Sequence, residues 1–141
     1  MIVGFWATQR ADAIIIINSR RTDTGIFGIA ANQTARVHVV NASESGFPTP
    51  CIVEVRFFDD QSAPLVREGM KLMPGQAGFV DFTDPSLSAC LGQRRHVPAV
   101  VLQSQPPDFD LPTPACLTTT EVFDNRTGQA GIIIVNSQPI R

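Results

Sequence analysis

The sequence predicts an all-β protein, an antiparallel β-sandwich of about eight strands with immunoglobulin-like or jelly-roll topology. Three observations support this prediction. The chain of 141 residues contains 11 prolines and 10 glycines, an abundance typical of frequent turns. Its apolar segments are short, and turn-forming residues separate them at roughly regular intervals. Apolar residues at a helical period are almost absent. A chain of this length forms one domain, with or without a tail.

The first strand signal is the run AIIIIN at residues 13–18. Four consecutive β-branched residues favour an extended strand, and the lack of alternation indicates that both of its faces are covered. The run follows an irregular leader, residues 1–11, whose Phe5 and Trp6 we expect to pack on something, such as a neighbouring molecule. A terminal strand that is apolar on both faces is suited to pairing with another chain.

A near-repeat of this run occurs towards the other end of the sequence. Residues 13–19 are AIIIINS, and residues 131–137 are GIIIVNS. The resemblance between the two segments predicts that they occupy similar environments. In one possible arrangement, the two segments lie side by side as neighbouring strands.

The remaining strands are predicted from alternation and from the turn residues between them. In the segment 51–58, Cys51 and the apolar residues at every second position are predicted to point inward, with Glu54 and Arg56 outward. Pro98 interrupts another strand and requires a bulge or a free edge. The complete set of further strands is 34–41, 51–58, 65–72, 77–82, 95–103, 115–123 and 132–136.

Loops and turns are predicted where glycine, proline and aspartate cluster. Residues 20–29, which contain Asp23, Gly25 and Gly28, are predicted to form a loop. Residues 73–76 have the proline and glycine of a type II turn. Hairpin turns are predicted at 59–64 and 124–128, and longer loops at 43–50, 84–94 and 105–114.

Charge and hydropathy exclude two classes of partner. The formal net charge is −2, and the arginines are scattered without forming a basic stripe, so we expect no nucleic-acid partner. No apolar run approaches the roughly 20 residues that a membrane-spanning helix requires, so we expect no membrane span. Residues 1–6 are apolar but lack the basic start of a signal peptide, which implies that any export signal is already absent.

The chain has three cysteines, Cys51, Cys90 and Cys116. An exported protein would form one disulfide and keep one thiol, whereas a cytoplasmic protein would keep three reduced, buried cysteines. We predict the pair Cys51–Cys116, because each residue begins a predicted strand just after a proline-rich loop. The state of Cys90 stays open. An extracellular or cell-surface location follows, with weak support from glycosylation sequons at Asn32, Asn41 and Asn125.

The sequence contains little evidence for a catalytic site or a metal site. The only histidines, His38 and His96, lie in no catalytic motif, and we predict that the protein is not an enzyme and uses no cofactor. No cysteine or histidine pair has zinc spacing. Calcium could bind only if loop carboxylates converged, and solvated loop acids explain them better, so no metal site is predicted. These carboxylates are Asp81, Asp84, Asp108 and Asp110.

Four segments together resemble a group of small exported bacterial β-sandwich proteins of unassigned function. They are QTARV at 33–37, VRFFD at 55–59, MPGQA at 73–77 and EVFDNRTG at 121–128. The resemblance covers about residues 30–130 and implies the sandwich fold without implying a reaction.

Residues 11–19 are also similar, in length and apolar content, to the N-terminal donor strand of chaperone–usher pilins and other strand-donating fibril subunits. Two features depart from those pilins: the isoleucines are continuous rather than alternating, and the chain contains no tyrosine. The resemblance implies a fibril that is built by the same logic without that chaperone system.

These observations predict a structural subunit that polymerises head-to-tail with copies of itself. Residues 1–21 are the N-terminal extension and candidate donor strand, and residues 22–141 form the sandwich domain. Two alternatives stay open: residues 14–17 form the first strand of their own domain, or the protein is a surface-exposed binding module for carbohydrate or protein that acts through its loops. The predicted donor residues are Phe5, Trp6, Ile14, Ile15, Ile16 and Ile17, and the predicted acceptor residues are Ile132, Ile133, Ile134 and Val135.

Overall fold

A computed structural model describes residues 3–6, 9–10, 19–104 and 112–136 of the chain. It confirms the all-β sandwich. Eight long strands, β3 to β10, match the predicted number, and two short N-terminal strands precede them. The strands are β1 Val3–Trp6, β2 Gln9–Arg10, β3 Ser19–Ala30, β4 Gln33–Asn41, β5 Cys51–Phe58, β6 Pro64–Leu72, β7 Ala77–Phe82, β8 Arg94–Ser104, β9 Cys116–Asp124 and β10 Ala130–Asn136.

The strands form two antiparallel sheets. Sheet A has the order β1-β7-β4-β9-β10, and sheet B has the order β2-β6-β5-β8-β3. Consecutive strands pair directly in the β5–β6 and β9–β10 hairpins, while most other connections cross between the sheets.

The core lies between the two sheets and is built from alternate residues of the central strands. The predicted inward face of β5 is confirmed, since Val53, Val55 and Phe57 are fully buried. The Phe57 ring stacks on Phe82 of sheet A with 5.7 Å between the ring centroids. Burying a side chain of this kind contributes about 1.5–3 kcal/mol, so this layer is the main source of stability.

The prediction of a loop at residues 20–29 is wrong, because these residues lie in the longest strand, β3. β3 pairs with β8 along its length, with a register shift between Asp23 and Gly25. At this irregularity the Thr24 hydroxyl donates a hydrogen bond of 2.9 Å to the carbonyl of Ala99. The glycines favoured a loop locally, but a bulge accommodates Gly25 and burial of the following residues drives pairing. Those buried residues are Phe27 and Ile29.

Pro98 lies where the sequence requires it to lie. The ladder between β5 and β8 ends at Ala99, and Pro98 pairs only with Ile26 of β3 on the other side. On the side of β8 that faces β5, no backbone N–H group is therefore needed at this position. Proline, which has no backbone N–H, is tolerated there.

The predicted turns are confirmed by their backbone geometry. Gly75 has a positive φ of 83°, which an L-residue rarely adopts, and the amide of Gln76 donates to the Met73 carbonyl at 2.9 Å. At residues 59–63, the Asp59 carboxylate accepts hydrogen bonds from the amides of Gln61 and Ala63. In the β9–β10 turn, the amide of Gly128 donates to the Asp124 carbonyl at 2.8 Å.

The N-terminal residues are partly built into the sandwich. β1 pairs with β7 and β2 pairs with β6, so both strands extend the sheets. The predicted boundary between residues 21 and 22 falls inside β3. The isoleucine run at residues 13–18 lies outside the described residues.

Candidate functional site

The two sides of the sandwich differ in what covers their sheet edges. On one side, where β6 packs against β7, the N-terminal strands β1 and β2 pair with the outermost long strands. On the other side, β10 ends sheet A and β3 ends sheet B. Each of these two strands has one hydrogen-bonded neighbour among the described strands, so within the part of the chain that the structure describes each has an open edge of backbone N–H and C=O groups.

The open edge of β10 coincides with the predicted acceptor residues. β10 pairs with β9 from Ala130 opposite Phe123 to Asn136 opposite Thr118, with a register shift between Ala130 and Ile132. The residues of this strand between Gly131 and Asn136 are all apolar in the sequence, without the charged or proline residues that usually protect an edge.

The open edge of β3 has a different character. Its sequence begins Ser-Arg-Arg-Thr-Asp, and the bulge between Asp23 and Gly25 interrupts the ladder. Arg21 is exposed. Charged residues and bulges discourage edge-to-edge pairing, so the β10 edge is less protected against pairing than the β3 edge.

Two of the predicted donor residues, Phe5 and Trp6, lie away from the predicted acceptor strand. Phe5 and Trp6 lie in β1, paired with Gly78 and Ala77 of β7. β1 and β10 form opposite edges of sheet A, with β7, β4 and β9 between them. The other predicted donor residues, Ile14 to Ile17, lie outside the described residues.

The predicted disulfide Cys51–Cys116 is present and buried. It joins the first residue of β5 in sheet B to the first residue of β9 in sheet A. Hydrogen bonds tie the neighbouring loops together, since the Ala42 amide donates to the Ala115 carbonyl at 2.8 Å and the Ala115 amide donates to the Ser43 hydroxyl at 2.9 Å. Cys90 is an exposed free thiol. We call this region the disulfide end of the sandwich.

The three candidate binding loops do not meet at one surface. Loop 43–50 and residues 112–114 lie at the disulfide end, because Asn41 pairs with Cys116. Loop 84–94 lies at the opposite end, where β4 begins and β7 ends. Residues 105–111 of the third loop lie outside the described residues.

A charged cluster on the outer face of sheet A escaped the sequence analysis. The Arg36 guanidinium donates to both Asp81 carboxylate oxygens, at 2.6 and 2.8 Å, and its Cζ lies 3.8 Å from the centroid of the Phe79 ring. The Phe123 ring lies on it as well, at 4.8 Å. The hydrogen bonds that Arg36 donates to Asp81 raise the pKa of Arg36, although the guanidinium stays charged in any case.

A second such cluster lies on the outer face of sheet B. Glu54, predicted to point outward, does so but is only 5% exposed. Arg56 pairs with one of its carboxylate oxygens and Arg67 with the other, the latter at 3.0 Å. Because Arg56 and Arg67 are directly opposed across β5 and β6, the carboxylate between them offsets their repulsion.

The histidines and acids that were considered for chemistry occupy structural positions. His38 Nε2 lies 3.7 Å from a Glu121 carboxylate oxygen, and the His38 ring lies against Phe79. His96 is exposed on β8. Arginines pair with two of the calcium candidates, and the other two lie outside the described residues. Within the described ranges, no group of three or more His, Cys, Asp or Glu residues is placed to hold a metal ion.

One predicted sequon is buried. Asn41 has no exposed surface, its amide nitrogen donates to the Leu72 carbonyl at 3.0 Å, and its amide oxygen accepts from the Ser43 amide at 3.0 Å. Its side chain therefore fixes the turn after β4 rather than offering a glycan acceptor. Asn32 and Asn125 are exposed in turns.

Asp84 makes stability depend on acid pH. It is 8% exposed and accepts hydrogen bonds from the Ser86 hydroxyl and amide and from Arg95, at 2.7 Å. These bonds, with the Ser86 hydroxyl foremost, lower the pKa of Asp84. Because its folded-state pKa lies below the unfolded one, the stabilisation is complete above about pH 3.9 and is lost as the pH falls through the folded value.

We therefore expect Asp84→Asn to lower the free energy of unfolding by about 1–3 kcal/mol at pH 7, and by less at pH 3. Urea unfolding at the two pH values measures both quantities. The matched control is Asp60→Asn, which alters an exposed carboxylate in the β5–β6 turn. An equal loss at both pH values would contradict the assigned role of the ionised carboxylate.

No protein-family model matches the sequence, and searches of curated proteins and of solved structures found no significant match. None of the described residues belongs to a helix that is long and apolar enough to span a membrane. The function is therefore inferred from the geometry of this chain.

Proposed function

We propose that this protein is a non-enzymatic structural subunit of an extracellular filament or surface assembly, in which copies join head-to-tail by N-terminal strand donation. The observation that carries the proposal is the open edge of β10, an apolar edge strand without the usual protection against pairing. An extended segment of a second copy would satisfy its backbone groups by β-augmentation.

The donor is the isoleucine run at residues 14–17. It has the strand propensity and the apolar character on both faces that an added strand requires. Burying four isoleucine side chains contributes about 6–12 kcal/mol before the costs of ordering and association.

The donor run and the acceptor strand are different segments of the chain, which supports an open, head-to-tail assembly. β2, before the run, lies on the β6–β7 side of the sandwich, and Ser19, which follows residues 11–18, begins β3 on the side of β10. A heterologous contact repeats from copy to copy unless its rotation closes a ring.

The covalent structure is compatible with an extracellular location. The disulfide Cys51–Cys116 is buried between the sheets, and disulfides persist in oxidising compartments.

The test is to compare the full chain with the double variant Ile15→Lys/Ile16→Lys by negative-stain electron microscopy and light scattering. We expect filaments from the full chain and folded monomers from the variant, because the two lysines place a charge on each face of the donor. Ile26→Lys is the matched control, since Ile26 lies on the other open-edge strand and is 67% exposed. It should leave assembly unchanged.

Two results would overturn the proposal. A monodisperse full chain at all concentrations would remove the polymer and leave the loops as the place to seek a ligand. A double variant that has lost its β-sheet circular dichroism would show that residues 14–17 belong to the fold of their own domain.

A further inference from the structure

We infer that the outer face of sheet B holds a binding site for an extended peptide in which a large apolar side chain and a carboxylate are two residues apart. The site lies where β5 leaves β8, and we call it the β8 groove. Because it belongs to sheet B and β10 belongs to sheet A, this inference does not depend on strand donation. The residues that define the β8 groove are Ile26, Gly28, Phe58, Arg94, His96 and Pro98.

The first part of the site is an open length of backbone on β8. The ladder between β5 and β8 stops at Ala99, whereas β8 begins at Arg94. Residues 94–98 therefore have β3 on one side and no described strand on the other. The Ala99 carbonyl faces β3, because it accepts the hydrogen bond from the Thr24 hydroxyl. Since backbone groups alternate in direction along a strand, those of His96 point to the open side, where an extended peptide can pair by β-augmentation.

The second part is an apolar cavity of about 360 Å³ beside this open backbone. Ile26, Phe58 and Pro98 contribute to its lining. Ile26 is directly opposite Pro98 across β3 and β8, and it is one of the few large apolar side chains exposed to solvent among the described residues. A cavity of this size is at the lower end of the range for ligand pockets, which suits one large apolar side chain.

The third part is a pair of nitrogen-bearing side chains that meet over a glycine. Gly28 is opposite His96, and a Cβ atom added at Gly28 would lie 3.9 Å from Nη1 of Arg94 and 4.0 Å from Nε2 of His96. The glycine therefore leaves a space that both side chains border. Both are exposed, and within the described parts of the chain neither forms an ion pair, unlike Arg95, which pairs with Asp84. A carboxylate in this space would accept hydrogen bonds from both groups.

The spacing of these parts specifies the peptide. His96 and Pro98 are two residues apart on β8, so the space over Gly28 and the apolar cavity are about 7 Å apart along the strand. In an extended peptide beside β8, the side chains of one face recur at the same interval. A carboxylate two residues from a large apolar side chain therefore reaches both parts at once. The charge complementarity with Arg94 selects an acidic peptide over a purely apolar one.

Binding of two synthetic peptides to the full chain tests the site. The probe is acetyl-Thr-Glu-Thr-Leu-Thr-Glu-Thr-amide, which has the required spacing in either strand direction, and the comparison peptide has glutamine in place of each glutamate. Isothermal titration calorimetry measures both Kd values. We expect the glutamate peptide to bind about tenfold more tightly, and the variant Arg94→Gln/His96→Gln to remove this difference. Arg126→Gln, in the exposed β9–β10 turn, is the matched control and should preserve it.

A second variant tests the space over the glycine. Gly28→Val places a side chain where the carboxylate would lie, and valine suits the strand conformation of β3. We expect it to weaken binding of the glutamate peptide several-fold while circular dichroism shows the β-sheet unchanged. If this variant fails to fold, the comparison of Arg94→Gln/His96→Gln with the parent chain still decides the role of the two nitrogen groups.

Two ligand changes test whether the peptide adds as a strand. N-methylation of the backbone amides should weaken binding at one alternating set of positions and have little effect at the other, because only one set faces β8. Octanoate, which carries an apolar chain and a carboxylate without a peptide backbone, should bind several-fold more weakly. Equal binding of octanoate and the glutamate peptide would overturn the peptide site in favour of a small carboxylate. Equal Kd values for the two peptides, or no binding at millimolar concentration, would overturn it outright.

Discussion

Replacing Cys51 and Cys116 together by alanine is expected to lower the free energy of unfolding by about 4 kcal/mol. The two cysteines are 65 residues apart in the sequence, so the disulfide closes a long loop and removes much of the conformational freedom of the unfolded chain. The bond also joins the two sheets at the end where β5 and β9 begin. For a domain of this size, the loss is a large fraction of the total stability.

Equilibrium urea unfolding of the double variant and of the parent chain measures this difference. Cys90→Ser is the matched control, because Cys90 is an exposed thiol, and its effect should stay within about 0.5 kcal/mol. Reduction of the parent chain should reproduce most of the loss. A double variant within about 1 kcal/mol of the parent would show that the disulfide does not restrict the unfolded state.

Arg36→Met is the second large effect, with an expected loss of about 3–5 kcal/mol. The substitution keeps a long apolar side chain between Phe79 and Phe123 but leaves the Asp81 carboxylate without its bidentate partner. The Asp81 side chain is only 7% exposed, so water cannot replace the guanidinium fully. An unpaired buried charge is costly because it loses its hydration without compensation.

The double variant Arg36→Met/Asp81→Leu separates charge from packing. Replacing both partners by apolar side chains removes the unpaired charge, so the double variant should recover most of the stability that the single variant loses. Arg126→Met, in the exposed β9–β10 turn, is the control for loss of a surface arginine. Thermal unfolding of the four proteins is the measurement. If the double variant were as unstable as the single one, cation–π packing on the two rings would carry the effect.

The ion-pair clusters could not be predicted from the sequence, because they join charged residues of different strands. Arg36 and Asp81 are 45 residues apart in the sequence, and each sits in an alternating strand as an ordinary outward residue. Glu54 likewise alternates with buried residues, yet it is buried beneath two arginines. Side chains of this kind become partners only when the strands that carry them are neighbours in a sheet.

Which strands form the edges of the sheets is likewise not visible in the sequence. The apolar character of residues 132–135 could be seen in the sequence, but its position at an open edge could not, because that depends on which strand pairs with β9 on each side. The N-terminal leader showed no period, although Val3–Trp6 pairs with β7 and Gln9–Arg10 with β6. Segments this short depend on the strand beside them for their conformation, and so carry little signal of their own.

The sequence by itself determined the all-β class, the alternating inward face of β5, the turn at Gly75 and the pairing of Cys51 with Cys116. Each follows from local chemistry: side-chain periodicity, the φ angles open to glycine, or position next to a proline-rich loop. Only the tertiary structure decided that residues 19–30 form a strand, which sheet each strand joins and which edge stays open. These depend on contacts between residues far apart in the chain, where burial of apolar surface outweighs local turn propensity.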